Sequence, residues 1–443
     1  MKRRDLTTGS EREHLLYLAM PMIWGLLAIM SMHLVDTYFV GQLGSDELAA
    51  MSFTFPVITI LSSLAFGVGA GASSAIARAI GAANDHDISR YSTQSIIIAA
   101  CLAGIFAVVG LNSVDRVFTL LGAESSLLGL IHDYIDIWYL GCVLVVVPMV
   151  GNAGIRAAGN TRLPSMVMIL VSLVNIILDP LLIFGWWGIP KMGLQGAALA
   201  SVIAYSIAFS VALYVLIVRL RFITWSGCCQ QVWSSWQAIL RIGLPAAGTN
   251  LISPLSIAIT TWMVARYGNE AVAGFGVASR LESICLVVLI AVASVMGPFS
   301  GQNWGARKRQ RLAYGLRLSY QFSLVWGVLA AMVLWWSADT VVAAFSDDSA
   351  VQHNAVIYLS IVPVTYAFLG MVMITSSFAN GIGNPVPALV LTLMRLLIVY
   401  LPLVWLFGVF WGGVISIYMA SAVANVVVGI GALWWATRYS RKG

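Results

Sequence analysis

Twelve long apolar runs dominate the 443-residue chain and leave it few ways to fold. They lie near 15–40, 48–76, 91–112, 130–153, 164–185, 194–218, 240–264, 272–300, 312–337, 352–378, 386–410 and 412–436. A helix rises about 1.5 Å per residue, so each run is long enough to cross a hydrocarbon core about 30 Å thick. Barrel strands would be near ten residues with strict alternation, a pattern absent here. Charged residues make up only 9% of the chain, against about 25% in a soluble domain. The expected class is an all-α polytopic membrane protein with twelve transmembrane helices. The links are short, with no room for a soluble domain and no G-x-x-x-x-G-K-[ST] loop. Direct coupling to ATP is therefore not expected.

The net charge of +6 is distributed by topology. With the termini and even-numbered links assigned to the cytoplasm, most basic residues fall there. They include Lys2, Arg3, Arg4, Arg78, Arg90, Arg156, Arg162, Arg219, Arg221 and the run Arg307, Lys308, Arg309, Arg311. Arg116, Lys191 and Arg266 land outside, while Arg280 and Arg395 lie within spans. This is the positive-inside pattern, and it predicts cytoplasmic termini in a bacterial inner membrane. The 307–311 cluster reads as a topology signal in contact with anionic lipid rather than a nucleic-acid site. Cys101, Cys142, Cys228, Cys229 and Cys285 show no metal or redox spacing. The first apolar run is too long for a signal peptide and lacks a cleavage pattern, so it is expected to remain as a span.

Slid by 224 residues, the chain aligns with itself. Pro21 meets Pro245, Thr37 meets Thr261, Val40 meets Val264, Tyr134 meets Tyr358, and Gly159-Asn160 meets Gly383-Asn384. Gly44-Ser45-Asp46-Glu47-Leu48-Ala49 meets Gly268-Asn269-Glu270-Ala271-Val272-Ala273, and Gly81-Ala82 meets Gly305-Ala306. One offset held this far marks a duplication. Each half has six spans, so both halves share an orientation and form two pseudo-symmetric six-helix lobes. Their expected extents are 1–219 and 240–443, joined by a cytoplasmic link at 220–239. Trp233 and Trp236 in that link are expected to anchor at the membrane interface. Two such lobes around a central cavity suit alternating access. The run Gly67-Val68-Gly69-Ala70-Gly71 carries a small-xxx-small spacing for close helix packing.

Charge inside the spans is rare. Of the 18 acidic residues, Asp36, Asp136, Asp179 and Glu282 fall in or near them. A carboxylate near mid-bilayer costs about 3 kcal/mol or more, and by default marks an ion or proton site. The plain alternative is a carboxylate that only hydrogen-bonds a neighbouring helix. Asp136 sits near the outer start of its span and can reach the interface. Glu282 lies two residues from Arg280, a spacing that does not place them face to face, and is expected to be structural. Asp36 and Asp179 both lie roughly 8–9 Å below the outer ends of their helices. Asn175 precedes Asp179 by one turn, and Ser201 enters at a similar depth on the sixth span. Two carboxylates, an amide and a hydroxyl at one level could hold a proton or a hard cation such as sodium. Neighbouring carboxylates in a low dielectric do not both ionise easily, so one should retain a proton near working pH. The matching segments of the second half carry no acid. Thr260 replaces Asp36, and Leu389–Pro402 and Ile415–Val428 hold only apolar, small or hydroxyl residues plus Arg395 and Asn425. The expected division is an ion-handling N-lobe and a mainly shape-providing C-lobe. Pro21 weakens the first helix fifteen residues before Asp36; a switching bend and a static kink both fit it.

Several segments, in order, resemble the multidrug and toxic compound extrusion (MATE) transporters. They are Val35-Asp36-Thr37-Tyr38-Phe39-Val40-Gly41, Arg156-Ala157-Ala158-Gly159-Asn160-Thr161, the stretch Asn175–Gly185 with Gly193-Leu194-Gln195-Gly196-Ala197-Ala198, and Gln302-Asn303-Trp304-Gly305-Ala306. The resemblance covers essentially the whole chain and is similar in pattern to the DinF-like branch. It implies export of small organic compounds, cationic or amphipathic, against inward flow of protons or sodium, with no cofactor and no enzymatic activity. Carried over residue by residue, it makes Asp36 and Asp179 the central carboxylates, completed by Asn175 and Ser201. Tyr134 and Asn152 match further network positions. Ser201 stands where a threonine is common. The C-lobe acid of the NorM-like branch has no counterpart in Gly243–Gly268. The ion stays open between proton and sodium, the latter placing a metal at Asp36 and Asp179. A monomer in contact with membrane lipid is expected, and no nucleic-acid partner. The alternative is a lipid-linked precursor flippase of related architecture, which would favour a basic cavity for pyrophosphate. A non-transporting sensor or channel scaffold is a further class. An enzyme is disfavoured because no catalytic His, Cys or metal cluster lies in the spans, His33 reading as a hydrogen-bonded helix residue.

Overall fold

The computed structural model describes residues 4–224 and 231–441. Lys2, Arg3, Cys228, Cys229 and Lys442 lie outside the described residues. Among those described are twelve helices long and apolar enough to cross a membrane. They are α1 (Glu11–Gly41), α2 (Ser45–Gly81), α3 (Asp85–Leu111), α4 (Ser125–Ala157), α5 (Arg162–Phe184) and α6 (Leu194–Arg219). The second six are α7 (Val232–Tyr267), α8 (Asn269–Gly305), α9 (Arg309–Ala343), α10 (Ser349–Gly381), α11 (Val386–Phe410) and α12 (Gly413–Ser440). Each contains one of the apolar runs, with ends that often extend a turn further. Polar residues at those ends, such as Asn84 accepting from the backbone of Asp87, cap helices that hydrophobicity alone would have stopped earlier. One short helix, Val114–Leu120, sits between α3 and α4.

Large apolar side chains including Ile105, Val109, Leu173, Val325, Trp335 and Ile398 are more than half exposed. In water such a surface would drive aggregation; in lipid it is the solvated face.

The chain divides into two compact units. One takes the segment ending at Asp5 together with Met20–Ala247, the other Leu6–Ala19 together with the chain from Gly248. This differs from a division at the link 220–239. The change falls inside α7, and the start of α1 groups with the later helices. The physical reason for the first shift is the packing of α2: a Cβ at Gly67 or Gly71 would run into the backbone of Gly243 or Ile239. The glycines expected to allow close helix approach do so, and they tie the first third of α7 to the earlier unit. Trp236 joins the same unit by donating to Gln94 Oε1 at 2.8 Å. It is a packed hydrogen-bond donor, whereas Trp233 is exposed as an interfacial anchor would be.

In the other unit, Leu6 is fully buried; its N–H donates to Gln302 Oε1 at 3.0 Å and its carbonyl accepts from Asn303 Nδ2 at 3.2 Å. The Gln302-Asn303 motif thus clamps the chain ahead of α1. Arg311 adds an ion pair to Glu11 at 3.1 Å.

α4 in the first unit and α8 and α10 in the second have 67% of their apolar windows buried, which makes them the central helices. Around α4 the core includes Tyr134, Trp138 and Tyr139. Around α8 and α10 it includes Phe275, Tyr358, Tyr366 and Tyr418, with Tyr358 edge-on to Tyr418 at 4.9 Å between ring centres. Two spans of this unit are irregular. α10 tightens to a 3₁₀ turn at Pro363–Thr365, where the proline removes a backbone donor. α11 widens to a π-helical stretch over Met394–Tyr400. α1 remains helical through Pro21.

Candidate functional site

The end of α5 is built to present polar atoms. Gly159, at φ +77°, turns the chain after α4, and Asn160 Oδ1 accepts from the N–H of Leu163 at 3.1 Å to start α5. The Gly-Asn motif is therefore a corner that sets the entry of α5. At the other end Gly185, at φ +77°, stops the helix in the left-handed region open to glycine. The returning α6 comes close because Gly196 faces the backbone of Leu182; a Cβ there would sit 2.6 Å from the Leu182 carbonyl carbon.

That approach brings α6 to α5 at Asn175. Its Nδ2 donates to Asp179 Oδ1 at 3.3 Å and to Ser201 Oγ at 3.2 Å. Asn175 and Asp179 are 0% exposed and Asp36 is 5% exposed, so all three carboxylate and amide groups are out of contact with bulk solvent. α1 reaches this group by packing Met32 into Val167, Val171, Ala204 and Ala208 of α5 and α6. Asp36 lies within electrostatic range of Asp179, Tyr134 and Tyr205. Asn175, Asp179 and Ser201 are thus joined by hydrogen bonds, with Asp36 and Tyr134 within electrostatic range of Asp179.

Asp36 Oδ1, Asn175 Oδ1 and Asp179 Oδ2 are buried without a hydrogen-bond partner. All three are acceptors. A buried acceptor left bare costs about 1–3 kcal/mol, more when charged. The Asn175 amide has already committed its donor, so the group lacks positive charge or protons. A proton on one carboxylate supplies a donor, and a hard cation would be met by oxygen atoms alone. Both chemistries fit this donor set.

Other candidates fall elsewhere. Asn152 stands 18 residues from Tyr134 on the same helix, about 27 Å along its axis. It is not brought to the Asp36–Asp179 group, although its own Oδ1 is buried and unpartnered. Asp136 pairs with His132 at 2.9 Å, and the same ring reaches Asp115 of the short helix at 3.1 Å. His33 lies on α1, where its backbone carbonyl accepts from the Thr37 hydroxyl at 2.8 Å. Tyr205 was missed by sequence reading. The available signal was its position one turn past Ser201, on the same face of α6.

The second unit is not merely shape-providing. It holds a cavity of about 290 Å³ whose lining includes Thr260, Glu282, Tyr358, Arg395, Tyr400 and Asn425. Glu282 Oε2 accepts from the Tyr358 hydroxyl at 2.5 Å. Arg395 donates to Asn425 Oδ1 at 3.4 Å, Asn425 donates to Thr365 at 3.0 Å, and Thr260 meets Tyr400 at 2.9 Å. The two residues that interrupt otherwise apolar segments, Arg395 and Asn425, are the ones that furnish it.

The MatE family model matches residues 21–181 and again 245–406, the two halves of the duplication. The chain belongs to the MATE family. It is 38% identical to the FAD transporter of Shewanella oneidensis, covering 98% of this chain and 96% of that one. It is 24% identical to a probable multidrug resistance protein, NorM, of Thermotoga maritima, over 88% of this chain and 84% of that one. The structure of the Vibrio cholerae MATE transporter VcmN in its bent form superposes with a TM-score of 0.91 at 29% identity, covering 97% of each chain. MATE proteins are multi-pass membrane transporters rather than enzymes, and the twelve-helix architecture agrees with that membership.

Proposed function

We propose that this MATE protein is a cation-coupled exporter of small organic compounds that works by alternating access. Its place is the bacterial inner membrane with both termini cytoplasmic, a reading supported by the positive-inside distribution of Lys and Arg. The coupling ion is the proton. The observation that carries the reading is the set of buried, unpartnered acceptors on Asp36, Asn175 and Asp179. A proton on either carboxyl group turns one bare acceptor into a donor for a neighbouring one; the sodium arm of the vesicle experiment separates this from coordination of sodium by the same oxygens. Asp36 and Asp179 exchange the proton, Asn175 and Ser201 hold Asp179 in place, and Tyr134 and Tyr205 border the pair. Uptake from outside displaces the substrate, and release to the cytoplasm resets the cycle. Ion and substrate must weaken each other's binding for this to run uphill.

The first substrate to test is flavin adenine dinucleotide, because the relative at 38% identity is a FAD transporter. Cationic drugs follow, given the likeness to multidrug exporters such as MepA of Staphylococcus aureus at 25% identity. The deciding measurement is substrate-induced proton release in everted vesicles, wild type against Asp36→Asn, with and without sodium. Release without sodium that is lost in the mutant supports the reading. A sodium requirement replaces the ion and keeps the site. An unaffected mutant removes Asp36 from the mechanism.

A further inference from the structure

The C-terminal unit carries its own polar centre at positions that correspond to the candidate ion site. Thr260, Tyr358 and Asn425 stand 224 residues after Asp36, Tyr134 and Ser201. All three line the same cavity. The duplication has thus kept a polar centre in both lobes while changing its chemistry. In the first unit the charged groups are two carboxylates. In the second they are Arg395, the exposed Arg280 and one carboxylate, Glu282.

The remaining lining is polar: Ser253, Ser256, Ser279, Ser283 and Ser421 line the cavity together with Thr260 and three tyrosines. The hydroxyls of Ser256, Thr260, Ser279 and Ser283 donate to backbone carbonyls of their own helices and Tyr358 donates to Glu282, which leaves the arginines as the main donors for a ligand. Glu282 is engaged by Tyr358, and no ion pair within 4.0 Å joins it to Arg395 among the described residues. Among the described residues Arg395 makes one long hydrogen bond, 3.4 Å to Asn425. A guanidinium offers five N–H donors in a planar fork suited to phosphate or carboxylate. Most of that capacity is unspent. The local helix is also shaped for the purpose. Arg395 and Tyr400, which both line the cavity, lie in the π-helical stretch Met394–Tyr400 of α11. Such wide turns cost backbone regularity and recur at functional sites.

We infer that the C-terminal cavity is an anion subsite in which Arg395 binds the phosphate portion of a phosphorylated organic substrate. The inference rests on the reading of this chain as an exporter and deepens it by naming the substrate class. The cavity lies at the lower end of ligand-pocket volumes, about 300–1,000 Å³, which suits one end of a dinucleotide rather than all of it. Glu282 is the counter-charge that Arg395 feels in the ligand-free protein. A phosphate competes with it.

The test uses purified full-length protein and equilibrium binding of FAD, with inorganic pyrophosphate and riboflavin as competitors. Pyrophosphate should displace FAD, and riboflavin, which lacks phosphate, should not at equal concentration. Arg395→Gln should weaken FAD binding at least tenfold, and Arg395→Lys, which keeps charge and fold, should restore part of it. Glu282→Gln should tighten FAD binding several-fold, a gain that a merely structural glutamate would not give. FAD binding unchanged in both Arg395 variants, or displaced equally by riboflavin, overturns the inference. Displacement by a lipid-linked pyrophosphate but not by inorganic pyrophosphate would also overturn it and assign the cavity to lipid headgroups. Proton release through Asp36 in vesicles is read separately. Loss of that signal in wild type defeats the export reading, while its persistence beside failed FAD binding defeats only the subsite.

Discussion

An amide that gives both its donor bonds to one side of a site leaves its carbonyl oxygen bare on the other. Asn175 does this, holding Asp179 and Ser201 with Nδ2 while Oδ1 stays unpartnered. Ser201→Ala removes one acceptor and leaves the amide hydrogen unsatisfied. The expected loss is about 1 kcal/mol, seen as a small drop in apparent melting temperature. Ser201→Thr should keep the bond and melt like wild type. A melt for Ser201→Ala that matches wild type would show that Asn175 rotates to another partner. Asp179→Asn is expected to fold, since a buried neutral amide is less costly than a buried charge, and to lose substrate-induced proton release at least tenfold. The same scale shows what the sequence made legible. Asp36 and Asp179 stood out because charge is rare in apolar runs, and Asn175 because it precedes Asp179 by one turn. The engagement of Glu282 by Tyr358, 76 residues away, had no local signal. Arg395 and Asn425 were visible as exceptions in apolar segments, yet their convergence on one cavity depends on how α11 and α12 pack.

At particular glycines, helices in this chain approach to backbone contact. Gly71 on α2 lies so close to Ile239 on α7 that any Cβ needs a shift of one helix. Gly104 on α3 has nothing within 4 Å of the same added atom. Gly71→Ala should therefore cost about 1–3 kcal/mol by overpacking. Gly104→Ala should be neutral or stabilise by about 0.5–1 kcal/mol through helix propensity. Thermal melts of the two purified variants check the contrast, and equal melting would mean that α2 and α7 are not in fixed contact. Hydropathy located all twelve spans, because a run of apolar residues needs no tertiary information to declare itself. It could not place the 3₁₀ turn at Pro363–Thr365 or the π-helical stretch at Met394–Tyr400. Pro363 gave a clue to the first. Nothing local marks the second, whose residues Arg395, Leu396 and Tyr400 line the cavity.

At the scale of the whole chain, duplication supplies two bundles from one design and sequence divergence then gives them different polar side chains, Asp36 against Thr260 and Ser201 against Asn425. The offset of 224 residues is readable without a structure and is matched by the two stretches of family likeness. The grouping of Leu6–Ala19 with the later helices was not readable, because Leu6 is buried by Gln302 and Asn303 nearly three hundred residues away. Topology offers one check on the molecule as a whole. A fluorescent protein fused after Gly443 should fluoresce, and alkaline phosphatase at the same place should be inactive, if the positive-inside distribution sets the orientation. Coupling offers a sharper one. Antiport requires the proton and the substrate to oppose each other, and linkage makes that opposition reciprocal. If the Asp36–Asp179 pair carries the coupled proton, as proposed, raising the pH removes it and should strengthen substrate binding. For one coupled proton the dissociation constant falls by up to about tenfold per pH unit while the pair titrates. In Asp36→Asn/Asp179→Asn the pair cannot titrate, so the dependence should flatten at the weak, protonated-like value. Equilibrium binding of FAD to purified protein from acidic to mildly alkaline buffer reads this directly. Wild-type binding that is independent of pH, with FAD transport intact, would separate the carboxylates from coupling. A slope that survives in the double variant would place the coupled proton on another group, and Glu282 would then be the first to substitute.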